Sequence, residues 1–465
     1  MKSVNKKPRK HANTHKKRGV TENKDGWIHL EVGGTPYEIG FAHGKSLRRH
    51  FAQVIRVLPF NVAQELKIPY ADYLRDCKRL FSPILDDDEW SFIKEELRGI
   101  VAGAAMKGVT YDFLVAWNSY LSMCTYYEKN HNSDNAKEPK NHGRCCAFIA
   151  TGSATKTGEI VMAHNTHSDF ATGFVLNVIM KVKPSLPGSN TFVMQTAPGL
   201  ICSSSDWFLC DNGIIGCETT ISNLNFTPEF ANSKVPYYLR IRKAMQFGKT
   251  FDDYVDIMSK NSAGDYACTW YLGDVNTGEI MMLEDGGDKV GVRRTMDGAF
   301  HGCNDAMTEE VAMLQTTRDE KYNPNSTTGA RNLRMEYLLF DKYAGKLDTT
   351  NAKKILSDHY DVSRSKYRMG KMNICKHVEM EQQNKDAKKE TNNETNKKGG
   401  ILREPWVPLK GATDGKVVDS AMARKLMFEG RMGSSCGRVF RRSDFGLSAD
   451  VPILDMPRHK WTKIV

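Results

Sequence analysis

No stretch of this 465-residue chain approaches the roughly 20 consecutive apolar residues that a membrane helix needs. The longest candidate, Phe174 to Val182, is interrupted by Asn177 and Lys181. The N-terminus has no apolar core of the kind a secretory signal carries, so a cytoplasmic or otherwise intracellular location is expected. The cysteines are odd in number, 11, and include neither a CxxC pair nor a zinc-ligand spacing. This fits reduced thiols better than a disulfide framework, and no structural metal is expected. With 16 prolines and 37 glycines the chain is neither collagen-like nor low-complexity, and no internal repeat is evident. What is present, 40% hydrophobic and 26% charged residues, is ordinary globular composition, and the length allows a sizeable core.

The formal charge of +11 would ordinarily raise a polyanion as partner, but much of it lies in tails. Lys2, Lys6, Lys7, Arg9, Lys10, Lys16, Lys17 and Arg18 make residues 1–25 a basic tail, read first as disordered and solubilising, with a nuclear address or polyanion contact as the alternative. No specific nucleic acid partner is expected.

Residues 26–144 read as a mainly helical part. A short strand ends at Gly33 and Gly34, a helix starts near Tyr37, and Leu47, Phe51, Val54, Ile55 and Leu58 recur at helical spacing. The segment from Glu128 to Gly143 is almost wholly polar and reads as an exposed linker. From Cys145 the chain turns to strand-like runs separated by turns (CCAFIA, EIVMAHN, FVLNVIMKV, TFVMQT, GIIGCETT), then helices, then CTWYLGD and EIMMLED around a turn at Asn276 to Gly278. Strands, helices and strands in that order indicate an α+β fold with antiparallel sheets. Residues 145–465 form this part, with 379–400 too polar to offset the entropy of ordering and read as a disordered insertion.

The local feature with chemical content is Arg144-Cys145-Cys146, where the polar linker meets a strand. If the Arg144–Cys145 bond is cut, Cys145 becomes an N-terminal residue whose α-amine, with an unperturbed pKa of about 7.7–8.0, can serve as base for its own thiol. The competing reading of any single cysteine is a small buried apolar side chain. The Gly-rich GGTPYEIGFAHG lacks the lysine and spacing of a phosphate loop and is better read as a turn into a helix.

Seven segments in order extend the argument: GGTPYEIGFAHG (33–44), RCCAFIATGS (144–153), AHNTHSDF (163–170), CDNGIIGCETTIS (210–222), NSTTGARNLR (325–334), LSDHYD (356–361) and GATDGKVVDS (411–420). Together they resemble the isopenicillin N acyltransferase-like and phospholipase B-like families of N-terminal nucleophile (Ntn) cysteine hydrolases. That resemblance implies an αββα sandwich, self-cleavage into associated α and β chains, and an acyl-transfer reaction without metal or organic cofactor. Arg144, Cys145, Cys146 and Ala147 overlay a motif resembling HCSA, which makes Cys145 the nucleophile and Cys146 the alternative; Arg144 departs from the motif.

On the same resemblance His164 is expected nearest the attacking sulfur, with Asn165 and His167 as orienting or substrate-binding groups. Strand alternation places His164 and Thr166 on one face and Asn165 and His167 on the other. Glu218, Thr219 and Thr220 are candidates for the donors an acyl transfer needs where negative charge develops, Glu218 also for pairing with the Cys145 ammonium. Asn304 aligns with an Asn-His pair, although Asp305 replaces the histidine. Arg331, three residues before Arg334, is a candidate for a substrate carboxylate. A His359–Asp358 triad with Cys145 is set aside because an N-terminal nucleophile carries its own base. The expected function is a self-processing hydrolase or acyltransferase cleaving the amide bond of a small acylated substrate through a cysteine thioester. The alternatives are phospholipase B-like hydrolysis of lipid esters, with peripheral lipid contact, and an unprocessed binding protein.

Overall fold

A computed structural model describes residues 21–22, 25–131, 145–204, 206–222, 224, 228–230, 234–315, 320–381 and 409–464. Arg144, most of the basic tail and linker, and residues 382–400 of the expected insertion lie outside the described residues. Residues 379–381 are described, and they end a helical turn.

Two sheets form the centre. The larger has nine strands in the order β1 (Thr21–Glu22), β2 (Ile28–Gly34), β5 (Val178–Pro184), β6 (Phe192–Thr196), β7 (Trp207–Cys210), β8 (Ile214–Thr220), β9 (Cys268–Asp274), β10 (Ile280–Asp285) and β11 (Val290–Thr295). The smaller has six, in the order β12 (Gly298–Gly302), β3 (Cys145–Gly152), β4 (Gly158–Asp169), β15 (Lys410–Asp419), β16 (Phe428–Met432) and β17 (Thr462–Ile464). A separate two-residue ladder joins β13 (Tyr360–Asp361) and β14 (Lys366–Tyr367). Strand β3 lies over β8 and β9, and apolar residues of the two facing sheets fill the space between them.

Helices α1 (Pro36–Ser46), α2 (Phe51–Asn61), α3 (Tyr70–Leu85), α4 (Ser91–Ala104), α5 (Tyr111–Asn118) and α6 (Tyr120–His131) occupy the N-terminal part. The short α7 (Phe170–Gly173) follows β4, and α8 (Tyr237–Phe247) and α9 (Phe251–Ser259) join α1 and α4 over the outer face of the larger sheet. After α10 (Glu309–Ala312), α11 (Thr327–Glu336) and α12 (Thr349–Leu356) cover the outer face of the smaller one. The layers are therefore helix, sheet, sheet, helix, an α+β sandwich as expected. The ladders are antiparallel except that β2 pairs with β5 in parallel. A parallel neighbour needs a long crossover, and the chain supplies one by running through α1–α6 and β3–β4 between those strands.

The Gly-rich segment that invited a phosphate-loop reading has a packing role. Thr35 caps α1 in a reciprocal box with Glu38. Gly40 and Gly44 then meet Gly99 and Gly103 of α4 backbone to backbone. A Cβ at Gly40 would sit 1.9 Å from the Glu96 carbonyl oxygen, and one at Gly99 would sit 2.2 Å from that of Tyr37. The crossing is tied to the sandwich by Arg242 of α8, whose guanidinium meets the buried Glu96 carboxylate at 2.9 and 2.6 Å. Because backbone rather than a flexible side chain blocks the space, Gly40→Val is expected to cost about 3 kcal/mol, read as a lower denaturation midpoint. An unchanged midpoint would mean that the helices are not in contact there.

Candidate active site

Strand β3 begins at Cys145, and its partner β4 places Thr166 opposite Cys145, Asn165 opposite Cys146 and His164 opposite Ala147. Opposed residues share a face, so the ladder sorts the expected residues into two sets. Cys145, Thr166 and His164 face the larger sheet. Cys146, Asn165 and His167 face the α11–α12 layer.

On the first face the Cys145 sulfur, a His164 ring nitrogen and an Asp206 carboxylate oxygen all lie within 4.8 Å of one another. Asp206 Oδ2 is 3.7 Å from the sulfur and can accept its proton in a weak hydrogen bond. Asp206 has φ 63°, a backbone conformation unusual for a residue with a side chain, just before β7. His164 Nε2 is 2.8 Å from the Glu218 carbonyl oxygen. A carbonyl only accepts, so Nε2 carries the proton, and Nδ1, which makes no hydrogen bond among the described residues, presents a lone pair. Burial and the Lys416 ammonium hold the His164 pKa well below the usual range, so the ring is neutral. Burial pushes the Cys145 thiol well above its usual range, and the Asp206 and Glu218 carboxylates push the same way.

Beneath this face lies a fully buried polar group that the sequence reading did not assign. Lys416 Nζ is 2.7 Å from Asp414 Oδ1, 2.8 Å from Thr166 Oγ1 and 2.7 Å from Gln195 Oε1. Gln195 in turn donates to Asp414 Oδ2 at 2.8 Å. Asp414 and Lys416 belong to GATDGKVVDS, one of the seven segments quoted above, and alternate along β15. The signal for them was a charged pair two residues apart in a strand with apolar flanks; Asp206 had no comparable signal.

On the second face Arg331 gathers the groups. Its guanidinium donates to the Cys145 carbonyl at 3.1 Å, to the Cys146 sulfur at 3.1 Å, to Asn304 Oδ1 at 3.0 Å and to the Thr327 carbonyl at 2.7 Å. Burial alone would raise the Cys146 thiol, but the Cys303 thiol and the Arg331 charge prevail and lower it. Burial and the nearby Arg331 charge together depress the Lys376 ammonium. Asn304 donates to the Thr220 carbonyl at 2.9 Å, so its amide is committed at both ends. Asn165 donates to the Leu356 and Ile374 carbonyls at 2.8 and 3.1 Å, and His167 Nε2 is 3.0 Å from the Ile374 carbonyl. The Arg334 guanidinium forks onto Asp358 at 3.0 and 2.8 Å, which places Asp358 in an ion pair.

Along β8, Cys217 and Thr219 face the smaller sheet, and Glu218 lies on the other side with Trp270. The Glu218 backbone carbonyl, rather than its carboxylate, is the group bonded to His164. The Thr220 hydroxyl pairs with that of Tyr266. Tyr266 lines a cavity of about 40 Å³ together with Cys145, Thr166, Asp206, Trp117 and Leu200. Such a space holds a few water molecules and no acyl chain. Cys146 does not line it.

Residues 111–287 match the Phospholipase B family. The matched segment carries Cys145, His164, Asp206 and Glu218 and stops short of Asn304, Arg331, Asp414 and Lys416. No curated protein matches the chain by sequence. Among solved structures, the chain is similar to a mutant of the conjugated bile acid hydrolase from Clostridium perfringens at 10% identity and a TM-score of 0.30, covering 62% of this chain and 89% of that one. It is similar to a variant of the same hydrolase at 9% identity and a TM-score of 0.29, covering 63% and 83%. The family match agrees with the resemblance to phospholipase B-like proteins drawn from the motifs. No described helix is long and apolar enough to cross a membrane.

With the thiol held above its usual range, alkylation of Cys145 in the uncut chain is expected to be slow at about pH 7 and still rising at about pH 9. Asp206→Asn removes the nearer negative charge, so the thiol pKa falls and the labelling profile moves to lower pH. A profile that stays in place in Asp206→Asn would uncouple that carboxylate from the thiol.

Proposed function

We propose that the protein is a self-processing cysteine hydrolase or acyltransferase of the Ntn type, cut between Arg144 and Cys145 and acting on the amide bond of a small acylated substrate. The observation that carries this reading is the placement of the Cys145 sulfur, at the first residue of a central strand, beside the neutral His164 and Asp206 and against a cavity.

Before cleavage the Cys145 nitrogen is an amide and no base, so in this scheme the neutral His164 takes the thiol proton on its Nδ1 lone pair. The sulfur attacks the Arg144 carbonyl carbon, the carbon–nitrogen bond breaks with the proton passing to the departing amine, and water hydrolyses the resulting thioester. Cys145 is then left with a free α-amine. In turnover that amine takes the thiol proton, the sulfur attacks the substrate carbonyl, and the leaving amine departs with the proton. Water or an acceptor amine then releases the acyl group from the thioester. In this scheme the Tyr266 hydroxyl at the cavity edge, paired with the Thr220 hydroxyl, is the candidate donor to the developing oxyanion. His164, Glu218 and Thr219 keep their β4–β8 contact in this scheme, and Asn304 and Arg331 hold the start of β3. Cys146 serves as the Arg331 partner, which supports Cys145 over Cys146 as nucleophile.

A second reading, hydrolysis of lipid acyl esters by the same thiol, is favoured by the Phospholipase B match at residues 111–287. Trp117, Leu121, Leu176 and Leu200 give the cavity apolar walls in either case. The two readings separate by substrate: an acyl adduct on Cys145 from an N-acyl amino acid supports the first, and one from phospholipid alone supports the second.

Intact mass and N-terminal sequencing of wild type beside Cys145→Ala test the processing step. Two chains in wild type, the larger starting at Cys145, with a whole chain in the variant, are expected. A wild-type chain that remains whole after prolonged incubation overturns self-cleavage, and a cut one residue later moves the nucleophile to Cys146.

A further inference from the structure

Four ligand-type side chains outside the active site converge on one point. His359 follows α12, Cys375 and His377 lie in the loop that leads back to β15, and Cys436 lies in the turn after β16. One ligand atom from each falls within 4.8 Å of all the others. The expectation from cysteine spacing was no structural metal, because these residues are spread from His359 to Cys436 and match no short motif. The fold supplies the proximity that the sequence hides.

The geometry is that of a tetrahedral site. Bonds of about 2.3 Å from zinc to sulfur and about 2.0–2.1 Å to nitrogen put ligand atoms about 3.3–3.8 Å apart along the tetrahedron edges. His377 Nε2 is 3.4 Å from the Cys375 sulfur and 3.4 Å from the Cys436 sulfur. The other ring nitrogen, Nδ1, is 2.8 Å from Glu379 Oε1, the carboxylate–histidine arrangement that fixes a ring tautomer with its free nitrogen toward a metal. The His359 ring stands 5.2 Å from that of His377. The backbone around the cluster is tied independently: Cys375 N–H donates to the Asp358 carbonyl at 3.1 Å, and Asn373 Nδ2 to the His359 carbonyl at 3.0 Å. Two thiols and two imidazoles are the donor set of zinc, whereas magnesium and calcium need oxygen ligands.

We propose that His359, Cys375, His377 and Cys436 bind one zinc ion as a structural clamp beneath β4. On binding, the two thiols release their protons to solvent and the sulfurs bond the metal as thiolates. The ion would fix Ile374 and Ser435, the residues preceding Cys375 and Cys436. Ile374 accepts from Asn165 and His167, and the Ser435 hydroxyl donates to Asn165 Oδ1. The clamp therefore holds the strand paired with Cys145 and Cys146 from the side opposite the thiol. All four ligands lie beyond residue 287, outside the segment that matches the Phospholipase B family.

The test is the metal content of the full chain, purified without chelator, together with the spectrum of protein stripped of metal and titrated with Co²⁺. Expected are about one zinc per chain, and in the cobalt form the visible bands of a tetrahedral ion with thiolate-to-cobalt charge transfer. Cys436→Ser and His377→Ala lose both signals. Because the wild-type stoichiometry and spectrum are read directly, a variant that fails to fold leaves the test intact. Stripping metal from wild type should also lower its unfolding temperature. Wild type with no bound zinc and no cobalt spectrum overturns the proposal, as does a Cys375–Cys436 disulfide found by peptide mapping without reduction. The same measurements on Cys145→Ala are independent of self-cleavage, so failure of the zinc site and failure of the processing scheme are read separately.

Discussion

The start of β3 depends on one buried guanidinium. Arg331 has no solvent exposure, and its acceptors among the described residues are two backbone carbonyls, an amide oxygen and a sulfur, none of them a carboxylate. A buried cation without a carboxylate partner is costly unless another group supplies negative charge. The adjacent Cys146 sulfur is in contact with it, and the Cys303 thiol together with this charge shifts the Cys146 thiol toward ionisation. The two neighbouring cysteines thus acquire opposite characters from opposite faces of one strand. Cys146 is drawn toward the thiolate by the Cys303 thiol and a cation, and Cys145 is held as a thiol by burial and carboxylates.

That division continues along β4 and β15. The side of the ladder facing the larger sheet presents groups that can exchange protons, His164 above all, next to the small cavity. The side facing the helices presents Asn165 and His167, whose Nδ2 and Nε2 are spent on main-chain carbonyls. Between the sheets, Lys416, Asp414, Gln195 and Thr166 satisfy one another, and Thr166 is the residue opposite Cys145. An ion pair removed from water to this extent gains stability only when its remaining donors and acceptors are matched, as they are here. Its position specifies the register of the three strands β3, β4 and β15, because a slip of one residue would turn the whole set to the wrong face.

The sequence made some of this legible and concealed the rest for physical reasons. The helices of the N-terminal part and strands β3 and β4 announce themselves by period. Strands β15 and β16 do not, since glycines and charges at Asp414, Gly415, Lys416, Gly430 and Arg431 break the apolar pattern of buried strands. The alternation of AHNTH sorts His164 from Asn165 and His167 correctly, because a strand's period holds wherever it pairs. Glu218 shows the limit: its place in an apolar strand marked it as needing a partner, yet β8 presents its carbonyl to His164 and turns the carboxylate to the other side. Asp206 and the cysteine–histidine cluster depend on contacts between distant segments, and no local period encodes those.

The same contacts bear on what a cut before Cys145 would change. Strand β2 is hydrogen-bonded to β5, Trp117 and Tyr120 of α5 and α6 form part of the cavity wall, and Arg242 holds α4 to α8. Residues before the cut would therefore remain bound by a sheet ladder, a buried ion pair and apolar packing without a peptide link. The local change would be one new amine at the head of β3, on the strand face that already carries the Asp206 carboxylate. Before cleavage that carboxylate disfavours the thiolate, since two negative charges would share a space closed to water. An α-ammonium beside it would reverse the balance by offsetting the carboxylate and favouring the thiolate. Cutting the chain would then convert the same buried surroundings from ones that restrain the sulfur into ones that activate it.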